Sequence, residues 1–262
     1  MTRLITVANQ KGGVGKTTST VNLAAAAAMQ GAQVLVIDLD PQGNASTALG
    51  VDHREGVPSI YEVLSGDLAL AEVLQQCPDI PGLLVAPATI DLAGAEIELV
   101  SQVAREYRLA RAIQRYLDES DIDFDLVFLD CPPSLGLLTL NGLVAAREVL
   151  LPIQCEYYAL EGLSQLLRTI DMVRTHLNPE LRVGAILLTM YDGRTRLASQ
   201  VADEVRTHFG AQVLQTVIPR SVRVSEAPSY GQTVITYDPQ SPGSLAYREA
   251  AVQLLDIDSS TP

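Results

Sequence analysis

Two lysines stand in one short glycine-rich segment, Gln10-Lys11-Gly12-Gly13-Val14-Gly15-Lys16-Thr17-Thr18, and the chain has no others. Its remaining 16 basic residues are arginines. A compact ammonium on a thin stem does at these positions what a planar guanidinium cannot. Glycines let the backbone curl until several N–H groups converge on one concavity, which is what a phosphate chain requires. Gly12, Gly13, Val14 and Gly15 would form that cradle, with Lys16 reaching the β- and γ-phosphates. The Thr17 hydroxyl would ligate Mg²⁺, and Thr18 would bond the α-phosphate. The usual pattern G-x-x-x-x-G-K-[ST] has Gln10 at its first position here, and Lys11 is additional. Lys11 sits on the wrong side of the loop for its own phosphates. It would project towards a nucleotide held by a second copy of the chain and supply charge in trans, as an arginine finger does.

Carboxylates complete the set. Asp38-Leu39-Asp40-Pro41-Gln42-Gly43-Asn44 follows a strand-like run, and alternation puts Asp38 and Asp40 on one side of the chain. Asp40 would orient the attacking water, and Asp38 would hold magnesium through water. A plain turn also uses such aspartates; the glycine-rich loop favours the chemical reading. Phe124-Asp125-Leu126-Val127-Phe128-Leu129-Asp130 is an apolar run ending in an acid, the pattern in which Asp130 serves Mg²⁺. Cys131-Pro132-Pro133-Ser134 after it is a stiff loop suited to sensing a γ-phosphate.

These residues need strands to carry them to one edge. Strands are expected at Leu4–Ala8, Gln33–Asp38, Gly82–Ala86, Phe124–Asp130, Glu148–Ile153, Arg182–Thr189 and Gln212–Val217, most of them near-continuously apolar, as buried parallel strands are. Helices are expected at Lys16–Gln30, Ser59–Gln76 (as two short pieces), Asp91–Leu117, Leu135–Ala146, Leu160–Leu177, Arg196–Phe209 and Ser244–Leu255. Gly31 would cap the first, and Asn178-Pro179 would end the fifth. Alternation of this kind gives an α/β fold: a doubly wound, mostly parallel sheet with helices on both faces. One domain would span 1–255, followed by a short flexible tail, 256–262.

Composition narrows the function. Hydrophobic residues make up 47% of the 262 and charged residues 19%, enough to build a core and too apolar for disorder. The longest apolar stretch, Leu23 to Met29, is far short of a membrane span. No secretory signal precedes the first strand, so a cytoplasmic protein is expected. Cys77, Cys131 and Cys155 are odd in number and far apart, which argues for ordinary thiols over a disulfide or metal framework. The net charge of −13 excludes blanket attraction to polyanions. It is uneven: 16 acids face five arginines from Asp52 to Asp130, while six arginines face four acids from Arg182 to Glu226. A polyanion should meet the second stretch.

The two motif groups, with Glu156-Tyr157-Tyr158-Ala159-Leu160-Glu161-Gly162, Thr189-Met190-Tyr191-Asp192-Gly193-Arg194-Thr195 and Ile218-Pro219-Arg220-Ser221-Val222-Arg223-Val224-Ser225-Glu226-Ala227-Pro228-Ser229, resemble the deviant Walker A ATPases. Within these they resemble the ParA/Soj partitioning ATPases over nearly the whole chain. The resemblance implies a P-loop NTPase that binds ATP and Mg²⁺ and forms a sandwich homodimer. That dimer would bind double-stranded DNA without sequence preference and coat the nucleoid. A ParB/Spo0J-type centromere-binding partner would stimulate slow hydrolysis and release. The positions matching the family's DNA contacts are Arg194 and Arg223, with Arg220 nearby; Met190 and Pro219 would flank adenine. The loop begins by residue 10, which leaves no room for the helix-turn-helix of longer plasmid types. The acidic C-terminus, Leu254-Leu255-Asp256-Ile257-Asp258, lacks the basic amphipathic helix of membrane-bound relatives. Paired cluster cysteines and a terminal tyrosine cluster, marks of two other relatives, are also missing. A cargo-positioning ATPase shares every motif, and a nucleotide-dependent scaffold with little turnover is the non-enzymatic rival.

Overall fold

The computed structural model describes residues 2–156 and 159–257. Eight strands form one sheet: β1 (Arg3–Val7), β2 (Val34–Asp38), β3 (Gln75–Gln76), β4 (Leu83–Ala86), β5 (Leu126–Asp130), β6 (Glu148–Gln154), β7 (Arg182–Tyr191) and β8 (Val213–Pro219). Their order is β3-β4-β2-β5-β1-β6-β7-β8, parallel throughout except for β3, which runs antiparallel to β4. The chain starts near the centre of the sheet and winds outward in both directions. The switch point falls at the C-terminal end of β1, where open α/β sheets bind their ligands.

The helices are α1 (Lys16–Ala28), α2 (Asn44–Ala48), α3 (Ile60–Ser65), α4 (Leu70–Val73), α5 (Leu92–Glu98), α6 (Arg108–Glu119), α7 (Leu137–Ala145), α8 (Ala159–His176), α9 (Arg196–Phe209), α10 (Val222–Glu226), α11 (Val234–Tyr237) and α12 (Pro242–Asp256). They cover both faces. Alternate residues of one strand feed two separate cores: Val34, Val36, Leu126 and Phe128 pack with α1 and α12, and Leu35, Ile37, Val127 and Leu129 pack with α6 to α9. Ala24 to Ala28 are all buried, so the C-terminal half of α1 lies close against the sheet, as a helical segment apolar on every side should.

All seven expected strands form. The eighth, β3, is Gln75–Gln76, expected from the sequence to end the helical segment Ser59–Gln76; the two short helices there stop at Val73, and the glutamines pair with β4 with no apolar pattern to announce it. The helix expected over Asp91–Leu117 is two helices instead, interrupted by short 3₁₀ turns, with Ala104 at φ 52. The reason lies outside the segment. Asn141 of α7 accepts from Leu109 N at 3.2 Å and donates to Arg105 O at 3.0 Å, capping a new helix start. The helix α1 closes at Ala28, with Gly31 three residues on at φ 98. Helix α12 runs to Asp256, one residue past the expected domain boundary, and the rest of the expected tail from 258 lies outside the described residues.

At the opposite end of the sheet, Glu148 accepts from Arg3 at 2.8 Å while Arg3 also donates to Leu254 O at 2.6 Å. A buried pair with its spare donors satisfied ties α12 to β1 and β6. The three cysteines are buried free thiols, and among the described residues no helix is long and apolar enough to cross a membrane.

Candidate nucleotide site

The loop between β1 and α1 wraps a cavity of about 320 Å³. Gly15 caps α1 at φ 87, a conformation that favours glycine. It offers no side chain to the first-turn N–H groups, so these donors are left for an anion at the positive end of the helix. Gly12, Gly13, Gly15, Lys16, Thr17 and Thr18 line the cavity as expected. Val14 is buried behind it, its carbonyl accepting from the Thr189 hydroxyl at 2.8 Å. That bond pins the loop to β7.

The two lysines part company. Lys16 is buried, its Nζ 3.5 Å from Lys11 O. Burial lowers its pKa, with Asp130 the strongest opposing charge. Lys11 is half-exposed and does not line the cavity; its Nζ lies 3.3 Å from Glu156 Oε2. The same carboxylate faces Arg220 at 3.8 Å through Oε1. Both partners of Glu156 are remote from it in sequence, so only the fold could reveal them. The side chain of Glu161, in the same quoted motif, lies outside the described residues.

The acids stack in depth. Asp40 lines the cavity, its Oδ1 accepting from Gln42 N at 3.0 Å. Asp38 stands behind it, fully buried, its oxygens taken by Asp40 N, Ser46 N and Ser46 Oγ. Burial nonetheless pushes its carboxyl up, against those hydrogen bonds. Asp130 pairs in register with Asp38 across β2 and β5. Burial first, and then the Asp38 charge, raise its pKa; Thr17 and Thr20 oppose them, Thr20 by donating to Oδ1 at 2.8 Å. Asp130 Oδ2 is buried with no hydrogen-bond partner. A lone acceptor beside Lys16 and Thr17, both of which line the phosphate cavity while Asp130 is buried behind them, has the chemistry of a cation site, so the residues fit magnesium. Asp130 and Thr17 suit it best, since the oxygens of Asp38 are already committed.

Three lining residues escaped the sequence reading, Val21, Thr47 and Ala48, while Pro228 falls in the quoted Ile218–Ser229 motif. Gln42 and Asn44 also line the cavity and belong to the quoted Asp38–Asn44 motif, which hinted at them. Met190 and Pro219 close β7 and β8 and do not line the cavity; Met190 has a φ of 50. The three arginines proposed for nucleic acid are exposed, and each faces an acid. Arg194 makes two 2.8 Å contacts to Asp192, which holds that carboxyl down at about 2. Arg223 reaches Glu226 at 3.2 Å and Asp238 at 3.4 Å.

Comparison with known proteins agrees with this geometry. A family model described as an AAA domain matches residues 2–183. The chain is 49% identical to the sporulation initiation inhibitor protein Soj of Bacillus subtilis, covering 97% of this chain and 98% of that protein. It is 50% identical to the chromosome-partitioning ATPase Soj of Thermus thermophilus, covering 97% and 95%. Among solved structures it is similar to a Mycobacterium smegmatis protein described as cobyrinic acid a,c-diamide synthase, with bound ATP analogue and magnesium (TM-score 0.84, 43% identity, 99% of this chain and 97% of that one). It also resembles the Pyrococcus horikoshii septum site-determining protein MinD with Mg-ADP (TM-score 0.74, 26% identity, 96% and 95%). With its glycine cradle, its two divergent lysines and relatives this near along its whole length, the chain belongs to the Soj/ParA family of chromosome-partitioning ATPases.

Proposed function

We propose that the chain is an ATP-switched homodimer that binds DNA without sequence preference and hydrolyses ATP slowly until a ParB-type partner accelerates it. The observation that carries this reading is the opposed placement of the two lysines. Lys16 is buried in the cavity, where it meets its own protomer's phosphates. Lys11 points away from them, half-exposed, where a second protomer's nucleotide can receive it. Two chains facing each other would each lend the other a cation, so hydrolysis requires pairing.

Within one site, Asp40 holds the attacking water, and the α1 N–H groups and Lys16 hold the phosphates against charge build-up. Thr17 and Asp130 would hold Mg²⁺, with Asp38 behind them reaching it only through water, and the ion would neutralise phosphate charge when bound. Met190 and Pro219 are assigned to the adenine side. Arg194 and Arg223 are assigned the DNA phosphates, with Arg220 beside them. Pairing doubles these contacts, so affinity should rise steeply on dimerisation and fall with salt. The protein would work in the cytoplasm, on the nucleoid.

The ion pairs at Arg194 and Arg223 favour a second reading, a cargo-positioning ATPase or a scaffold with weak hold on DNA. Co-sedimentation with DNA in ATP, in ADP and without nucleotide separates them. DNA carried down only with ATP supports the switch. No DNA in any state rejects it in favour of the second reading.

A further inference from the structure

The Glu156 carboxylate serves two cations at once, one on each oxygen. Oε2 faces Lys11 Nζ at 3.3 Å and Oε1 faces Arg220 at 3.8 Å. Arg220 is held in place by its own backbone, whose N–H donates to Tyr191 O at 3.1 Å. The three groups sit on three connections that meet at the C-terminal edge of the sheet: the phosphate loop after β1, the turn after β6 and the turn after β8. All are partly exposed, with side-chain exposures of 40% for Lys11, 47% for Glu156 and 64% for Arg220. They can therefore exchange partners without unfolding anything.

A shared counter-ion couples its two partners. While Lys11 rests on Glu156, its charge is partly satisfied at home, and sending it across to another protomer's nucleotide costs that contact. Whether the cost is small depends on what remains beside Glu156. With Arg220 present, the carboxylate keeps a cation when Lys11 leaves. Without Arg220, Lys11 would be its only cationic partner among the described residues, with the neutral Gln154 amide still donating to Oε1, and would be held more tightly.

We propose that Arg220 is a positioning residue for Lys11: it takes over Glu156 when Lys11 crosses to the partner protomer, and so sets the ATP concentration at which two chains pair. This rests on the reading of Lys11 as a trans-acting cation. It gives Arg220 a task on the nucleotide side, separate from the DNA contacts of Arg194 and Arg223.

The test measures ATP-driven pairing by sedimentation velocity in an Asp40→Ala background, where turnover does not drain the dimer. Glu156→Gln is expected to lower the half-saturating ATP concentration by about two- to five-fold, the range of an exposed ion pair. Arg220→Ala is expected to raise it by a similar factor. The decisive arm is the double variant Glu156→Gln/Arg220→Ala. It should pair like Glu156→Gln alone, because without the carboxylate Arg220 has nothing to take over. Unchanged single-variant midpoints, or additive effects in the double, overturn the inference. If the Asp40→Ala chain itself does not pair with ATP, the failure belongs to the sandwich reading instead.

Discussion

Asp38 and Asp130 sit side by side, paired in register across β2 and β5, and neither carboxylate is exposed. Two buried acids at adjacent register positions oppose each other's ionisation, and only a cation or a proton relieves them. The fold thus stores an unfavourable charge where the proposed metal belongs.

That charge has a sign that can be measured. Both carboxyls are raised above their ordinary value of 3.8. The folded, unliganded chain therefore holds protons that the unfolded chain has released, so these acids reduce stability as pH rises. Asp130→Asn keeps an oxygen to accept from Thr20 and removes the charge. Thermal unfolding should show the variant more stable than the parent at about pH 8, with the gap narrowing as pH falls through about 7 and closing near 3.8. Each tenfold change in proton affinity is worth about 1.4 kcal/mol, or about 3–6 °C at this chain length. A gap that does not depend on pH would show that the pair carries no such charge.

Lys16 is the buried cation of the cavity. Lys16→Ala should weaken ATP binding by roughly 2–5 kcal/mol, the cost of removing one partner of a desolvated charge pair. Calorimetric titration checks this, and affinity within a factor of about three of the parent, under 1 kcal/mol, contradicts the loop assignment.

Asp40 is the acid that lines the cavity. Asp40→Ala should lower hydrolysis about 10²–10⁴-fold, the usual contribution of a positioned general base. ATP binding should survive, so the dimer should accumulate. Phosphate release measured beside sedimentation reads both effects, and parental turnover would remove Asp40 from its role.

Gly43 turns the chain between Asp40 and α2 at φ 62, and a Cβ there would lie 2.8 Å from His53 Nδ1 and 3.0 Å from Ala88 O. Gly43→Ala combines left-handed strain with a clash against backbone. Denaturant unfolding should show a loss of about 1–3 kcal/mol, and hydrolysis should fall as Asp40 shifts.

What could be read from residues alone follows the range of the interactions. The buried strands show as apolar runs, and the phosphate loop is a local motif, so Gly12 to Thr18 stand where their spacing placed them. Asp38 and Asp130 reach the right edge of the sheet because each ends a strand, and Asp40 because it follows β2 by two residues. The depth order of these acids was not legible, since the hydrogen bonds from Ser46 to Asp38 depend on how α2 folds back. The break between α5 and α6 was hidden for the same reason, because Asn141 makes it from another helix. The exposed arginines showed as a local excess of positive charge, while their carboxylate partners emerged only in the folded chain. Glu156 is a further case: its bond to Lys11 spans 145 positions.

The most direct test of the paired-site account mixes two dead variants. Lys11→Ala keeps its own Asp40 but lends no cation; Asp40→Ala lends Lys11 but cannot activate water. Each alone should hydrolyse ATP at background. Mixed in equal amounts they should regain a substantial share of parental turnover, because one of the two sites in each mixed pair is complete. A mixture as inactive as its components, or a Lys11→Ala chain active alone, would contradict the exchange of lysines between protomers.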